Sequence, residues 1–373
     1  MSIQMVDLKG QYQKIKPEID TALLSCAESA NYIKGNEVKQ FEDGLAKYLN
    51  TDHVISCGNG TDALQIALMA LDLKPEDEVI VPAFTYVATA EAIALLKLKP
   101  VMVDVDSDTF NISIDSLEKA ITPKTKAIVP VHLYGQSADM ESIMMLADKY
   151  GIFVIEDNAQ SLGAEYIFSN GTKKKTGTIG HIGCYSFFPT KNLGCFGDGG
   201  ALSTNDSELA KRCQMIASHG QQKKYYHETI GCNSRLDTIQ AGILNVKLKY
   251  LDEYIFARKK SAEYYFQNLD GLEGLVLPNK AAYANHTFNQ FTLKVQNNNR
   301  DKLQAFLKEQ GIPSIIYYPF PLYAQPAFKQ FSPNGFQLEN TEILCKSVLS
   351  IPMHTELTEE IQDKVIESIR NFN

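Results

Sequence analysis

IFVIEDNAQSLGAEYIFSNGTKKKTGTIGHIGCYSFFPTKNLGCFGDGG, residues 152–200, decides how the rest of the chain is read. An apolar run, Ile152 to Ile155, ends in the acids Glu156 and Asp157, and Gln160 follows three residues on. Further along, Ser186 and Lys191 flank Phe187-Phe188 in a segment rich in Gly and Pro. A short apolar run between helical patterns reads as a buried strand. An acid at the carboxyl end of such a strand stands where open α/β sheets bind ligands. The carboxylate needs a cation or strong donors there, because burying it unpaired is costly. The alternative is that Asp157 only caps the segment after it.

Working outward, strands and helices alternate on both sides. Strands are expected at 54–57, 78–82, 101–105, 127–131, 152–155 and 201–204. Helices are expected from Pro17, after Gly35, from Gly60-Thr61-Asp62, and over 88–96, 114–121, 139–150 and 206–217. Continuous apolar strands between amphipathic helices predict a mostly parallel sheet covered on both faces. A polar loop, 218–234, leads to a long helical pattern over 236–269. Beyond it a smaller α+β unit is expected, with strands 288–295, 315–318 and 348–351, a helix 301–310 and a final helix after Thr358. At 373 residues the chain exceeds what one core usually serves, so two domains are expected, 1–245 and 246–373. The run Lys173-Lys174-Lys175 reads as a solvated hairpin tip.

Composition narrows the function. A formal net charge of −8 argues against a nucleic-acid or membrane-surface partner. No apolar run approaches the length of a bilayer span, and the N-terminus has no signal-type apolar stretch, so a cytoplasmic location is expected. Seven cysteines without CxxC spacing, and seven histidines without ligand spacing, point to reduced thiols and no metal site.

Five features carry chemistry. Gly60-Thr61 opens a helix after a strand, where free N–H groups and the helix dipole favour an anion; a plain cap by Thr61 or Asp62 is the alternative. Tyr86 follows the 78–82 strand and offers a ring to a flat ligand, or to a core. Asp157 ends its strand. Lys191 sits among apolar residues and glycine, where desolvation favours a neutral, nucleophilic amine, against the alternative of a surface lysine. Ser186, five residues earlier, offers a hydroxyl to a phosphate. Anion turn, aromatic, strand-end acid and lysine together suit pyridoxal phosphate, which needs a lysine at its aldehyde and an acid at its pyridine nitrogen.

The segments GNGTDAL, PAFTYVATAEAI, VHLYGQ, EDNAQS, SFFPTKNLG, GDGGAL and GCNSRLD resemble the DegT/DnrJ/EryC1/StrS sugar-nucleotide aminotransferases, and the resemblance runs along essentially the whole chain. It implies a fold-type-I, aspartate aminotransferase-like architecture and pyridoxal 5'-phosphate as cofactor, carried as pyridoxamine 5'-phosphate in the second half-reaction. It implies that Lys191 carries the cofactor, Asp157 pairs with its ring nitrogen, Gln160 meets its phenolic oxygen and Tyr86 stacks on it. Gly60, Thr61 and Ser186 resemble the phosphate binders, and Asn233 the asparagine supplied by a neighbouring subunit, which implies a homodimer with shared active sites. L-Glutamate is the implied amino donor and a UDP- or dTDP-linked keto-sugar the acceptor.

ISCGNGTDALQIALMAL, PAFTYVATAEAIALL, GCFGDGGA and HGQQKKYYHE are similar to the subgroup acting on UDP-2-acetamido-2-deoxy-3-oxo-D-glucuronate, for surface polysaccharide such as O-antigen or capsule. That likeness makes Arg235 the candidate for the substrate carboxylate, since arginine holds one bidentately, with a dimer-interface ion pair as its alternative. Tyr317, Tyr318 and His219 are the other substrate candidates. Tyr317 stands where many relatives have histidine, which leaves a 3- or 4-keto-6-deoxyhexose as an alternative acceptor. A non-catalytic regulator that binds the cofactor is the remaining alternative.

Overall fold

The computed structural model describes residues 3–372. Its centre is a seven-stranded sheet in the order His53–Cys57, Gly200–Thr204, Ile182–Ser186, Phe153–Asp157, Thr125–Ile128, Glu78–Pro82, Lys99–Val103. Gly200–Thr204 runs antiparallel to both neighbours, and the other adjacent pairs are parallel. Apolar clusters lie on both faces: Ile66, Val79, Val81 and Leu202 belong to one, Ile80, Ile128, Met140 and Val154 to another. The alternation at 79–81 is the period of a pleated strand with a helix layer on each side. The expected mostly parallel, doubly covered sheet is the fold.

The helix Gly60–Ala70 is the most enclosed, with Ala63, Leu64, Ile66, Ala67, Leu68 and Ala70 all buried. Small residues on it let the chain pack closely against the strands. A second core gathers Ala262, Tyr265 and Leu269 of the helix Leu251–Leu269 with Phe291, Leu293, Leu349, Ile351, Val365 and Ile369. There Phe291–Val295 pairs antiparallel with Val348–Ile351, under the helices Arg300–Glu309 and Glu359–Phe372.

Four local expectations are corrected. Ile182–Ser186 is a strand that was not among the expected elements, and it fills the place beside Phe153–Asp157. Its glycine and its spacing to the next breaker hid it. Residues 315–318 form no strand beyond a bridge from Ile315 to Ser350, because the chain turns there to line a cleft. The pattern over 236–269 is two helices, Thr238–Leu248 and Leu251–Leu269, parted at Lys249 and Tyr250. Lys173–Lys175 is a strand pairing with Glu165–Ile167, next to the hairpin's tip rather than at it, with Lys173 and Lys174 exposed as expected. Lys175 bonds Glu165 at 3.2 Å and lies over the Tyr48 ring, which takes it out of bulk solvent.

Among the described residues no helix is long and apolar enough to cross a membrane, and no group of His, Cys, Asp or Glu is arranged to hold a metal ion.

Candidate active site

Above the carboxyl ends of the parallel strands lies a cleft of about 630 Å³. Gly60, Thr61, Tyr86, Asp157, Gln160, Ser186, Lys191, Tyr317 and Tyr318 all line it. Residues spread over more than 250 positions therefore converge, as the crevice outside the strand ends of an open α/β sheet requires.

Asp157 is held by backbone first. Its N–H donates to Pro130 O at 2.9 Å, its carbonyl accepts from His132 N at 3.0 Å, and Cys184 pairs with it on the other side. The carboxylate accepts from the Thr89 hydroxyl at 2.8 Å and from Ala159 N at 3.2 Å. No ion pair reaches it among the described residues. Burial raises its pKa above the ordinary aspartate value, against the pull of Thr89, Ala159 and the more distant Lys191. The carboxyl thus faces the cleft with two hydrogen-bond donors and no ion pair among the described residues.

Glu156 points the other way, as the pleat demands. It is fully buried and accepts from Gly177 N, Ile179 N and Gly180 N at 2.7, 2.7 and 2.6 Å. His132 meets it through Nε2 at 2.8 Å, and His132 Nδ1 accepts from Ala138 N, so Nε2 carries the proton. Burial opposes ionisation here too, but His132 and the backbone donors hold the Glu156 carboxyl below the usual range. One acid is satisfied by the fold, while its neighbour faces the cleft.

Lys191 lies in a turn closed by Lys191 N to Phe188 O at 2.9 Å and Cys195 N to Phe187 O at 2.8 Å. The residue is partly covered, yet its amine is deep enough that burial pulls the pKa down to about 8, with Asp157 opposing. A lysine so placed is a base and a nucleophile near neutral pH.

The anion turn is shaped by close approach. Asn59 caps the helix through Asp62 N at 2.9 Å, leaving the Gly60 and Thr61 N–H groups as first-turn donors. A Cβ on Gly60 would stand 2.7 Å from the Ser186 Cβ, so glycine is required for the turn to lie against that strand end. Gly200, beside Ser186 in the sheet, is equally tight against Asn59. The result is a cradle of two N–H groups and the Ser186 hydroxyl at the positive end of an 11-residue helix.

Gln160 has one fixed orientation. Tyr134 N donates to its Oε1 at 2.7 Å, so its Nε2 donates to the Tyr318 hydroxyl at 3.1 Å. Burial pushes the Tyr318 phenol up, keeping it protonated. Tyr134 in turn bonds the Tyr317 carbonyl. Tyr86 is 58% exposed with its ring 6.3 Å from that of Tyr318, so it forms part of the open wall and none of the core.

Asn233, Arg235 and His219 are exposed and do not line this cleft. Buried Ser234, between the first two, donates to Asp62 Oδ2 at 2.6 Å and accepts from Gly58 N at 2.8 Å. Asn233 and Arg235 thereby flank the anchor and are turned outward. Ser234 and Thr89 are site residues that sequence reading missed. Neither carries a local signal, since each matters only through a residue far away in the chain. Asn59 was readable as a cap three residues before Asp62.

The chain matches the profile of the DegT/DnrJ/EryC1/StrS aminotransferase family over residues 13–370. It is 48% identical over 374 residues to a Geobacillus stearothermophilus protein described as a pleiotropic regulatory protein, covering 100% of this chain and 99% of that one. It is 46% identical over 359 residues to the UDP-2-acetamido-2-deoxy-3-oxo-D-glucuronate aminotransferase of Pseudomonas aeruginosa, covering 95% and 96%. Among solved structures, that of S. venezuelae DesV in complex with a ketimine intermediate superposes with a TM-score of 0.95 at 39% identity, covering 100% of this chain and 98% of that one.

Proposed function

The chain belongs to the DegT/DnrJ/EryC1/StrS aminotransferase family, and from that membership we propose that it transfers an amino group from L-glutamate to UDP-2-acetamido-2-deoxy-3-oxo-D-glucuronate, giving the 3-amino sugar for a surface polysaccharide. The family is dependent on pyridoxal phosphate. The observation that carries the reading is one cleft holding an unpaired buried acid, Asp157, a lysine of lowered pKa, Lys191, and an anion cradle at Gly60, Thr61 and Ser186.

These residues fit pyridoxal 5'-phosphate. The cradle suits its phosphate and Asp157 its protonated ring nitrogen. Lys191 suits its aldehyde, the second N–H of Gln160 Nε2 its phenolic oxygen, and Tyr86 one face of the ring. When bound, the cofactor supplies an electron-withdrawing ring that carries the amino group between donor and acceptor. Asp157 holds a proton on the ring nitrogen, and its own burial is relieved by that positive charge. Lys191 moves a proton to and from the substrate carbon, a task suited to an amine whose pKa lies near working pH. Ser186 and the Gly60 turn fix the phosphate, so the reacting end lies against Lys191.

The choice of acceptor rests on the 46% identity to the P. aeruginosa enzyme. Arg235 is assigned to the sugar carboxylate, with Tyr317, Tyr318 and His219 around the sugar. Asn233 and Arg235, facing outward on either side of Ser234, suit delivery to the cleft of a second copy in a homodimer with shared sites. A non-catalytic, cofactor-binding regulator is the second reading, favoured by the description of the G. stearothermophilus relative.

Two measurements decide. Protein with cofactor should show visible absorbance that bleaches with L-glutamate, and Lys191→Ala should retain cofactor without turnover. Incubation with glutamate and UDP- or dTDP-keto-sugars made in situ, read by product mass, identifies the acceptor. A Lys191→Ala variant with near wild-type turnover would sink the catalytic assignment.

A further inference from the structure

Lys247 is a charged residue for which the chemistry above has no use. It sits in the last turn of Thr238–Leu248, is 2% exposed, and pairs with no carboxylate among the described residues. Burying an ammonium without a counter-ion is costly, so its retention calls for a reason. Its Nζ donates to Gly194 O at 2.5 Å and lies 5.6 Å from the centre of the Phe196 ring, with the Cys195 thiol as the nearest titratable group facing it. Burial lowers its own pKa to about 8.

Gly194 closes the turn that carries Lys191. A Cβ there would stand 2.3 Å from Pro189 O, so the two ends of the turn are in backbone contact. The turn is tethered at three points outside itself. Asn192 Nδ2 donates to Leu162 O and to Thr287 Oγ1, both at 3.1 Å. Gln240 Oε1 accepts from Phe196 N at 2.8 Å. Lys247 takes the Gly194 carbonyl. Gln240 and Lys247 are seven residues apart, two turns along one face of the same helix, so that face is a post against which the turn is set. The Lys247 tether is buried and is the charged one, and it acts three residues from Lys191.

We propose that Lys247 is a positioning residue for Lys191: its ammonium clamps the Gly194 carbonyl and so sets where the Lys191 amine stands in the cleft. This rests on the reading of Lys191 as the cofactor lysine, but the clamp itself is read without cofactor. In full-length apoprotein, the Lys191 amine is acylated with acetic anhydride across a pH series, and the peptide that bears it is quantified by mass spectrometry. The wild-type midpoint should lie at about 8. In Lys247→Met, which keeps the stem and removes the donor, the turn relaxes toward solvent and the midpoint should climb toward the ordinary lysine value of about 10.4. In the cofactor-loaded enzyme the same variant should lose roughly ten- to a hundredfold in kcat with KM for both substrates nearly unchanged.

If Lys247→Met does not fold, Lys247→Leu, which also removes the donor, is measured in its place. A folded variant with unchanged Lys191 labelling overturns the proposal. Failure of both variants to fold overturns it as well, since Lys247 would then serve stability alone. Shifted labelling in a protein that transaminates no keto-sugar would uphold the clamp and reject the catalytic reading.

Discussion

The Thr89 hydroxyl donates to Asp157 Oδ2 across 2.8 Å, joining the first turn of the helix Ala88–Leu95 to the end of the strand Phe153–Asp157. It is the side-chain donor to a carboxylate whose other hydrogen-bond partner is the Ala159 N–H. A hydrogen bond to a charged group is worth about 1.5–3 kcal/mol. Thr89→Val keeps the shape and removes the donor, so Asp157 should become harder to ionise and cofactor affinity should fall roughly tenfold. Thr89→Ser should bind nearly as the wild type. Equilibrium titration with pyridoxal phosphate checks this, and equal affinity for the valine variant would remove Thr89 from the site.

Asp157 itself should trade stability against function. Its pKa in the folded chain is raised, chiefly by burial. A group with a raised pKa favours folding below its unfolded value, about 3.9, and loses that contribution as pH rises through the folded value. Near neutrality the apoprotein therefore carries an ionised acid that opposes folding. Asp157→Asn should stabilise the apoprotein by about 1–3 kcal/mol at neutral pH, with the gain vanishing toward pH ~4, while turnover is lost. Urea melts of both apoproteins at the two pH values measure it. An apoprotein made less stable at neutral pH would contradict the account.

How far the residues disclosed this in advance differs from one to the next. Asp157 and the Gly60 turn were readable because each ends or opens an element, and the apolar period marks those ends; Lys191 and Ser186 were readable from their setting among apolar residues, Pro and Gly. The choice between Glu156 and Asp157 depends on which face of the pleat meets the cleft, and single-strand periodicity does not settle that for a strand buried on both faces. Thr89, Ser234, His132 and Lys247 were not readable. Each is defined by a partner 24 to 172 positions away, and such pairings exist only once the sheet order is fixed. The strand Ile182–Ser186 was hidden because Gly183, whose Cβ would strike Gly177 O at 2.0 Å, looks like a loop residue and is a packing one.

Glu156 behaves oppositely to its neighbour. Its pKa is lowered, by His132 and three backbone donors acting against burial. Such a group adds stability above its unfolded pKa of about 4.3, and the contribution is lost as pH falls through the lower folded value. Glu156→Gln would turn an amide N–H₂ toward donors and should cost about 3–5 kcal/mol at neutral pH. The gap between variant and wild type should close below pH ~4. Denaturant melts over that range test the sign, and a gap that widens in acid would refute it.

The Gly60–Ser186 contact offers the sharpest test of where a phosphate sits. Gly60→Ala puts a methyl group 2.7 Å from the Ser186 Cβ, far inside van der Waals contact, so the helix start and the strand end must part. The two N–H groups and the hydroxyl then no longer converge, and cofactor affinity should fall about a hundredfold, near 2.7 kcal/mol. Ser186→Gly in the same chain removes the obstructing Cβ and lets the turn close again. Its stability should recover, but the lost hydroxyl should leave binding about tenfold weaker than wild type. The two effects are therefore non-additive, and a double-mutant cycle on cofactor affinity reads the coupling directly. Additive losses would mean that the two residues do not share one anion, and wild-type binding by Gly60→Ala would move the phosphate away from this helix altogether.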